Sequence, residues 1–166
     1  MRMMNLMVKH FYLLAFAFLL LSLTSCDPGL IYSDSYPVAG KKWERSKPFT
    51  FTTDSIGDVE AIYSAMINVR VNENYAFRNI YFFVDIEMPD KQKIRDTVNG
   101  ILQDAEGNWV EEAEGFGTIK EISFPYRTKF KFPHKGVYKF TVYQAMRKEP
   151  LEDIEDVGLN IKAIEQ

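Results

Sequence analysis

From about Trp43 onward, apolar and polar residues alternate with a period of two. That spacing gives a strand one buried and one solvated face. "PFTFTT" alternates Phe49 and Phe51 with threonines. "AIYSAMINVRV" puts Ala61, Tyr63, Ala65, Ile67, Val69 and Val71 on one face, and Ser64, Asn68 and Arg70 on the other. "NIYFFVDIEM" puts Ile80, Phe82, Val84, Ile86 and Met88 opposite Asp85 and Glu87, and Pro89 closes the run. In "FPYRTKFKF", Phe124, Tyr126, Thr128, Phe130 and Phe132 share a face, with Arg127, Lys129 and Lys131 on the other. A helix would scatter those alternate positions around its axis. "GVYKFTVYQAM" follows the turn "PHKG", so these two segments are expected to form a hairpin. "VGLNIKAI" alternates Val157, Leu159, Ile161 and Ala163 with Asn160 and Lys162. The turn signals "NEN", "MPD", "DAEGN" and "PHKG" separate the runs. No long helical period exists, although "KEPLEDIED", Lys148 to Asp156, could hold one helical turn. The expected fold is all-β, a two-sheet antiparallel β-sandwich, jelly-roll-like, with about eight to ten short strands.

The first 25 residues follow another rule. Arg2 and Lys9 supply positive charge, Phe11 to Leu21 is unbroken apolar sequence, and Ser22, Thr24 and Ser25 follow. That order predicts a signal-peptide helix and a small-residue cleavage zone. The run is shorter than the roughly 20 apolar residues a spanning helix needs. Cys26, the single cysteine, comes directly after it in "LTSC". A lone cysteine in an exported chain suggests an intermolecular disulfide or a reactive thiol, or else an inert buried side chain. None of these explains its position. The sequence resembles a lipobox, in which the cysteine is thioether-linked to diacylglycerol and becomes the first residue of the mature chain. Cys26 is therefore the expected lipid attachment site. Each buried methylene contributes about 0.8 kcal/mol, so two or more acyl chains hold a protein firmly to a membrane it does not cross. The chain divides into residues 1–25, a cleaved leader; 26–40, a lipidated N-terminus that serves as tether or first edge strand; and 41–166, one β-sandwich domain. Within the second part, Ile31 and Tyr32 could begin a strand.

Removing 25 of 166 residues leaves 141, enough for one domain with a sizeable core. Losing Arg2 and Lys9 takes 20 basic residues to 18 against 23 acidic, a net charge of −5. Nucleic acid, which needs a clustered basic face, is not an expected partner. With Cys26 modified, no thiol remains for a disulfide or a thiolate metal site, so stability must come from packing.

Candidate chemistry is sparse. His134 is the one histidine of the mature chain and sits in a turn, where it reads as solvated. A triad needs a base in contact with Ser or Cys, and a His/Cys metal site needs more ligands than one histidine. "DAEGNW" offers oxygen ligands at Asp104, Glu106 and Asn108. The calcium-loop pattern fails because Trp109 and Gly115 stand where Gly and Glu are required. A β-turn with solvated acids is expected there instead. A carboxylate pair could serve a hydrolase, at about 5 to 9 Å separation in a cleft. "GFG", Gly115 to Gly117, lacks the lysine and context of a phosphate loop and is expected to mark a bend. Trp43, Trp109 and the tyrosines could form a sugar-stacking face or fill the core, and core filling is favoured. No enzyme activity, cofactor or metal is expected, and neither is a small-molecule ligand.

One segment resembles a known family. "YQAMRKEPLEDIEDVGLNIK", Tyr143 to Lys162, is similar to the C-terminal signature of the GldH gliding-motility lipoproteins of the Bacteroidetes. The matching positions are Gln144, Met146, Arg147, Leu151 and Val157 to Leu159, with Gly158 at the centre of the last. "SC" at the lipidation site, an early Trp, "VRVNENYAFRNIYFFV" and "DAEGNW" followed by "GFG" agree in order. The resemblance implies a palmitate-bearing lipoprotein of the cell envelope, tied to gliding motility and to the type IX secretion machinery, in gliding and non-gliding species alike. It brings no catalytic activity or cofactor and little mechanism; the expected function is a non-catalytic assembly or scaffold role, with other gliding or secretion envelope proteins as partners. It assigns no role to Gln144, Met146, Arg147 or Gly158. Carried along the strand period, Arg147 shares a face with Val137, Lys139, Thr141 and Tyr143. It reads either as a partner contact or, preferred, as an ion pair or backbone cap with the "LEDIED" acids. Asp27 beside the lipidated cysteine would argue for the inner membrane in enteric bacteria. The resemblance points to a phylum where that rule is not expected to hold, so the outer membrane is expected, at its periplasmic face or at the cell surface, with the inner membrane second. The alternative function is a surface-tethered carbohydrate-binding sandwich, which a continuous exposed aromatic platform would favour.

Overall fold

The computed structural model describes residues 29–164, apart from 112 and 116. The leader helix and Cys26 lie outside the described residues. The chain forms β1 (Leu30–Pro37), a short 3-10 turn (Ala39–Lys41), β2 (Lys42–Trp43), β3 (Phe49–Thr52), β4 (Ile62–Asn72) and β5 (Asn79–Glu87). It continues with β6 (Lys93–Ile101), β7 (Ile119–Phe130), β8 (Lys139–Gln144), β9 (Leu151–Glu152) and β10 (Ile154–Ile164).

One four-stranded sheet runs β1-β10-β4-β7 and the other β3-β8-β5-β6, while β2 and β9 make a small ribbon. Every pairing among these strands is antiparallel. The chain passes back and forth between the sheets, and of the main strands only β5 and β6 pair as sequence neighbours. This is the strand order of a jelly roll, two Greek keys wrapped into a sandwich.

The alternation explains the core. Inward positions of β4 (Tyr63, Ala65, Ile67, Val69, Val71) and β5 (Ile80, Phe82, Val84, Ile86) are buried, and so are Val157, Leu159 and Ile161 of β10. Trp43 fills the core beside Phe49 and Phe82, and its Nε1–H donates to the Lys47 carbonyl at 3.0 Å. Each such side chain contributes about 1.5–3 kcal/mol by leaving water. The described residues contain no helix long and apolar enough to cross a membrane.

Three local expectations are corrected. First, β7 and β8 do not form a hairpin: they belong to different sheets, and β8 lies between β3 and β5. Beyond β7 the chain turns inward. Phe132 packs between Tyr63 and Tyr138, with ring centroids 5.0 and 4.5 Å away. The Tyr138 hydroxyl accepts the His134 N–H and donates to the His134 carbonyl, and Gly136 bridges to Ile56. The turn is thus stitched across the sandwich. Second, Lys148–Asp156 is not helical. Leu151 pairs with Trp43 and both are buried, Asp153 takes a positive φ of 64°, and its carbonyl accepts the Asn72 N–H. Third, the alternation of "FPYRTKFKF" breaks after Tyr126. The register slips opposite Tyr63–Met66, which leaves Thr128 exposed and Arg127 half-buried against Asp96.

β1 fixes the polarity of the sandwich. Leu30 lies at one end, with Ile62 and Ile164, and Pro37 at the other. Short connections put Asn72, Asn79, Ile101 and Gln144 at the Pro37 end as well.

Candidate functional site

The signature positions fall into two places, the loop that follows β8 and the middle of β10. Gln144, the last residue of β8, points inward and is fully buried. A buried amide must satisfy its own groups, and at a strand end it can also satisfy those of the departing backbone. Gln144 does both. Its Oε1 accepts the Met146 N–H at 2.9 Å, and its Nε2 donates to Glu149 Oε2 at 2.7 Å and to the Lys148 carbonyl at 3.4 Å. Glu149 in turn accepts the Arg45 N–H at 3.0 Å, while Arg45 Nη2 donates to the Met146 carbonyl at 2.7 Å. The Met146 sulfur accepts the Tyr81 N–H at 3.3 Å. Gln144 and Met146 thereby fasten the 145–150 loop to the segment that follows β2 and to β5.

Arg147 behaves differently. It is exposed, and its side chain makes no hydrogen bond or ion pair with any described residue. The expected pairing with the "LEDIED" acids is absent among the described residues, and three of the four acids have other partners. Glu152 faces Lys42 and Lys148, Glu155 holds Lys41, and Asp156 holds Arg70. Tyr81 stands close by, 40% exposed, its carbonyl accepting the Ala145 N–H.

Gly158 lies between Ser35 of β1 and Asn68 of β4 on the outer face of the first sheet. A Cβ there would come within 3.0 Å of the Asp34 carbonyl oxygen and 3.1 Å of the Ser35 Cβ. Glycine lets β1 close in and leaves a dip. Around it runs a groove of about 410 Å³ lined by Ser33, Asp34, Ser35, Asn68, Arg70, Glu121, Asp156 and Asn160. Ser33 Oγ donates to Asn160 Oδ1 and Ser123 Oγ to Asn68 Oδ1, both at 2.8 Å. Arg70 Nη1 reaches Asp156 Oδ2 at 2.9 Å, and its Nε lies 3.8 Å from Glu121. Burial still raises the Asp156 carboxyl above its ordinary value, against the pull of Arg70.

The outer face of the second sheet is covered around Asp85. Arg95 forks onto both oxygens of Asp85, with Nη2 to Oδ2 at 2.7 Å. Its guanidinium carbon lies 5.5 Å from the Phe83 ring centre and 5.4 Å from that of Tyr143. The hydrogen bond from Arg95 holds the Asp85 carboxyl below its ordinary value. Phe83 and Tyr143 therefore lie under a cation, Tyr36 stacks on Phe49, and Trp43 is buried. The described residues present no continuous exposed aromatic platform.

The other candidates resolve locally. Asp104 Oδ2 accepts the Asn108 side-chain amide and its Oδ1 accepts the Asn108 and Glu106 N–H groups, tying the "DAEGNW" turn, and these bonds, the Asn108 amide first, hold its carboxyl below the ordinary value. His134 Nε2 lies 3.4 Å from Asp90 Oδ2. Asp96 accepts the Tyr126 hydroxyl at 2.6 Å and Arg127 Nη2 at 2.7 Å, joining the edges of the two sheets. Sequence reasoning missed Arg45, whose partner Glu149 is distant in the chain. It also missed the groove, for which a glycine inside a strand pattern was the available signal.

The family model described as GldH lipoprotein matches residues 30–161. The gliding motility lipoprotein GldH homolog of Christiangramia forsetii is 31% identical over 94% of this chain and 98% of its own length. The gliding motility lipoprotein GldH of Flavobacterium johnsoniae is 33% identical over 84% and 89%. Among solved structures, a fructofuranosidase of Schwanniomyces occidentalis overlaps 82% of this chain but only 34% of its own, at 9% identity and a TM-score of 0.41, too loose to bear on function. The family-model match over residues 30–161, together with two relatives above 30% identity along most of the chain, places the chain in the GldH gliding-motility lipoprotein family.

Proposed function

We propose that the protein is a non-catalytic assembly component of the gliding and type IX secretion apparatus, held to the outer membrane through a lipid on Cys26. Family membership supports the process, and one observation supports a partner-facing role. Arg147 is exposed and its side chain has no hydrogen-bond or ion-pair partner among the described residues; it lies two residues beyond Ala145, whose N–H meets the carbonyl of exposed Tyr81, at the end of the sandwich opposite Leu30. Arg and Tyr are the residue types that most often carry binding energy at interfaces. Leu30 lies only four residues from Cys26, a reach of about 14 Å at full extension. The eleven residues of β4 span the sandwich over about 36 Å. A lipid at Cys26 therefore puts the membrane at the Leu30 end and raises the Arg147 loop well clear of it.

The test is photo-crosslinking in the native envelope, with the crosslinker at Tyr81 and in the Arg147 loop. Recovery of gliding or secretion components at these positions, lost in Arg147→Glu, is the expected result. Recovery of none would count decisively against the reading. In parallel, Cys26→Ala should abolish acyl labelling and release the protein from membranes. A variant that stays membrane-bound with unchanged mass would remove the anchor from the account.

A further inference from the structure

We infer that the groove over Gly158 binds a neutral glycan segment, gripped by hydrogen bonds from the outer face of the first sheet. The hydrogen-bond inventory supports this. The side-chain oxygens of Asn68 and Asn160 each accept a serine hydroxyl, and both NH₂ groups have no partner among the described residues. The Ser35 hydroxyl and Arg70 Nη2 are likewise uncommitted. Acceptor capacity comes from Glu121 and the second oxygen of Asp156.

These groups narrow the ligand. Two carboxylates, Glu121 and Asp156, against one guanidinium disfavour an anion. A lining without apolar side chains disfavours a lipid or an aromatic molecule. No trio of acids or histidines converges on a point among the described residues, so a cation has no cage. What fits is a molecule whose groups both donate and accept, with no net charge, and that is a row of sugar hydroxyls. The volume lies within the range of about 300–1,000 Å³ typical of small-ligand sites. Gly158 provides the floor, because a methyl there would occupy the dip between Ser35 and Asn68. The absence of aromatic stacking on this face makes the expected binding weak and hydroxyl-specific. The groove lies apart from the Arg147 loop, so the proposal stands independently of the partner-facing role.

The test is calorimetric titration of the detergent-solubilised full-length protein with cellotetraose, mannotetraose and chitotetraose, using tri-galacturonic acid as the anionic comparison. At least one neutral tetrasaccharide should bind in the millimolar range or better. Asn68→Ala and Asn160→Ala should each weaken it about tenfold, the loss expected from one hydrogen-bond donor. Asn99→Ala, on the other sheet, should leave it unchanged. Gly158→Ala should abolish binding, and the two asparagine variants keep the test decisive if that variant folds poorly. Absence of binding by every neutral probe, preference for the galacturonate, or affinity indifferent to Asn68 and Asn160 would each overturn the proposal. None of these outcomes would alter the crosslinks expected at Arg147.

Discussion

On the outer face of the second sheet, Arg95 grips Asp85 with two hydrogen bonds and spreads over Phe83 and Tyr143. On the outer face of the first, Arg70 reaches Asp156 through one bond and leans toward Glu121. The residue types match, yet the electrostatics run in opposite directions. Hydrogen bonding lowers the Asp85 carboxyl, whereas burial raises that of Asp156. Cross-strand neighbours account for the difference. Asp85 lies directly opposite Arg95 in register, with aromatic rings beside it to cover the guanidinium. Asp156 also lies opposite its arginine, but the row beside it contains Gly158, so nothing covers the dip. A polar position in a sheet is spent or available according to what stands next to it, and one strand read alone does not show which.

The largest expected effect lies beneath both faces and sets the scale for them. Gln144→Ala leaves the Met146 N–H and the Glu149 carboxylate without their buried partner and should cost about 2–3 kcal/mol. A shift in denaturant midpoint at constant slope would measure it. Gly158→Ala forces a methyl against the Asp34 carbonyl and should cost about 1–3 kcal/mol, the usual penalty of overpacking. If it proves neutral, β1 is more compliant than the packing indicates. Arg95→Ala removes a charge pair and two ring contacts at an accessible site and should lower the denaturant midpoint by less than either Gln144→Ala or Gly158→Ala.

Acid titration opposes the two faces directly. A carboxyl lowered by folding contributes stability above its unfolded value, and this is lost as pH falls through the folded value. Asp85 should therefore weaken the protein in acid, below its ordinary value of 3.8, and Asp85→Asn should flatten that slope. A carboxyl raised by folding opposes folding when ionised. Asp156 should return stability as pH falls through its raised value toward 3.8, and Asp156→Asn should remove that gain. Unfolding curves at a series of acidic pH values would read both, and slopes of the same sign would break the comparison. The smallest effects belong to uncommitted groups. Asn68→Ala, Asn160→Ala and Arg147→Ala should each fall within about 0.5 kcal/mol of the parent in the same unfolding assay.

The sheets were legible because a half-buried strand has a period of two, and β3, β4, β5, β8 and β10 carry it plainly. β6 was not legible. As an edge strand its inward positions are mostly half-buried, so "KIRDTVNGI" shows little contrast. Which strands pair was not legible either, since a chain crossing between sheets at Phe132 looks locally like one reversing within a sheet. The signature split along the same line. Gln144 at the end of an apolar run has a local explanation in the backbone it satisfies. Ser33, Ser35, Asn68 and Asn160 are ordinary solvent-face residues until register brings β1, β10 and β4 side by side.

The antiparallel joint of β1 and β10 has a mechanical consequence. β1 is an edge strand, and the chain enters it at the Leu30 end. If the membrane pulls at that end while a partner holds the Arg147 end, the load runs along the strand axis. Seven registered pairs from Leu30 to Pro37 then bear it in parallel, as a lap joint does in shear, instead of opening one by one like a zipper. A pull applied between the two ends of the sandwich would be carried along that joint.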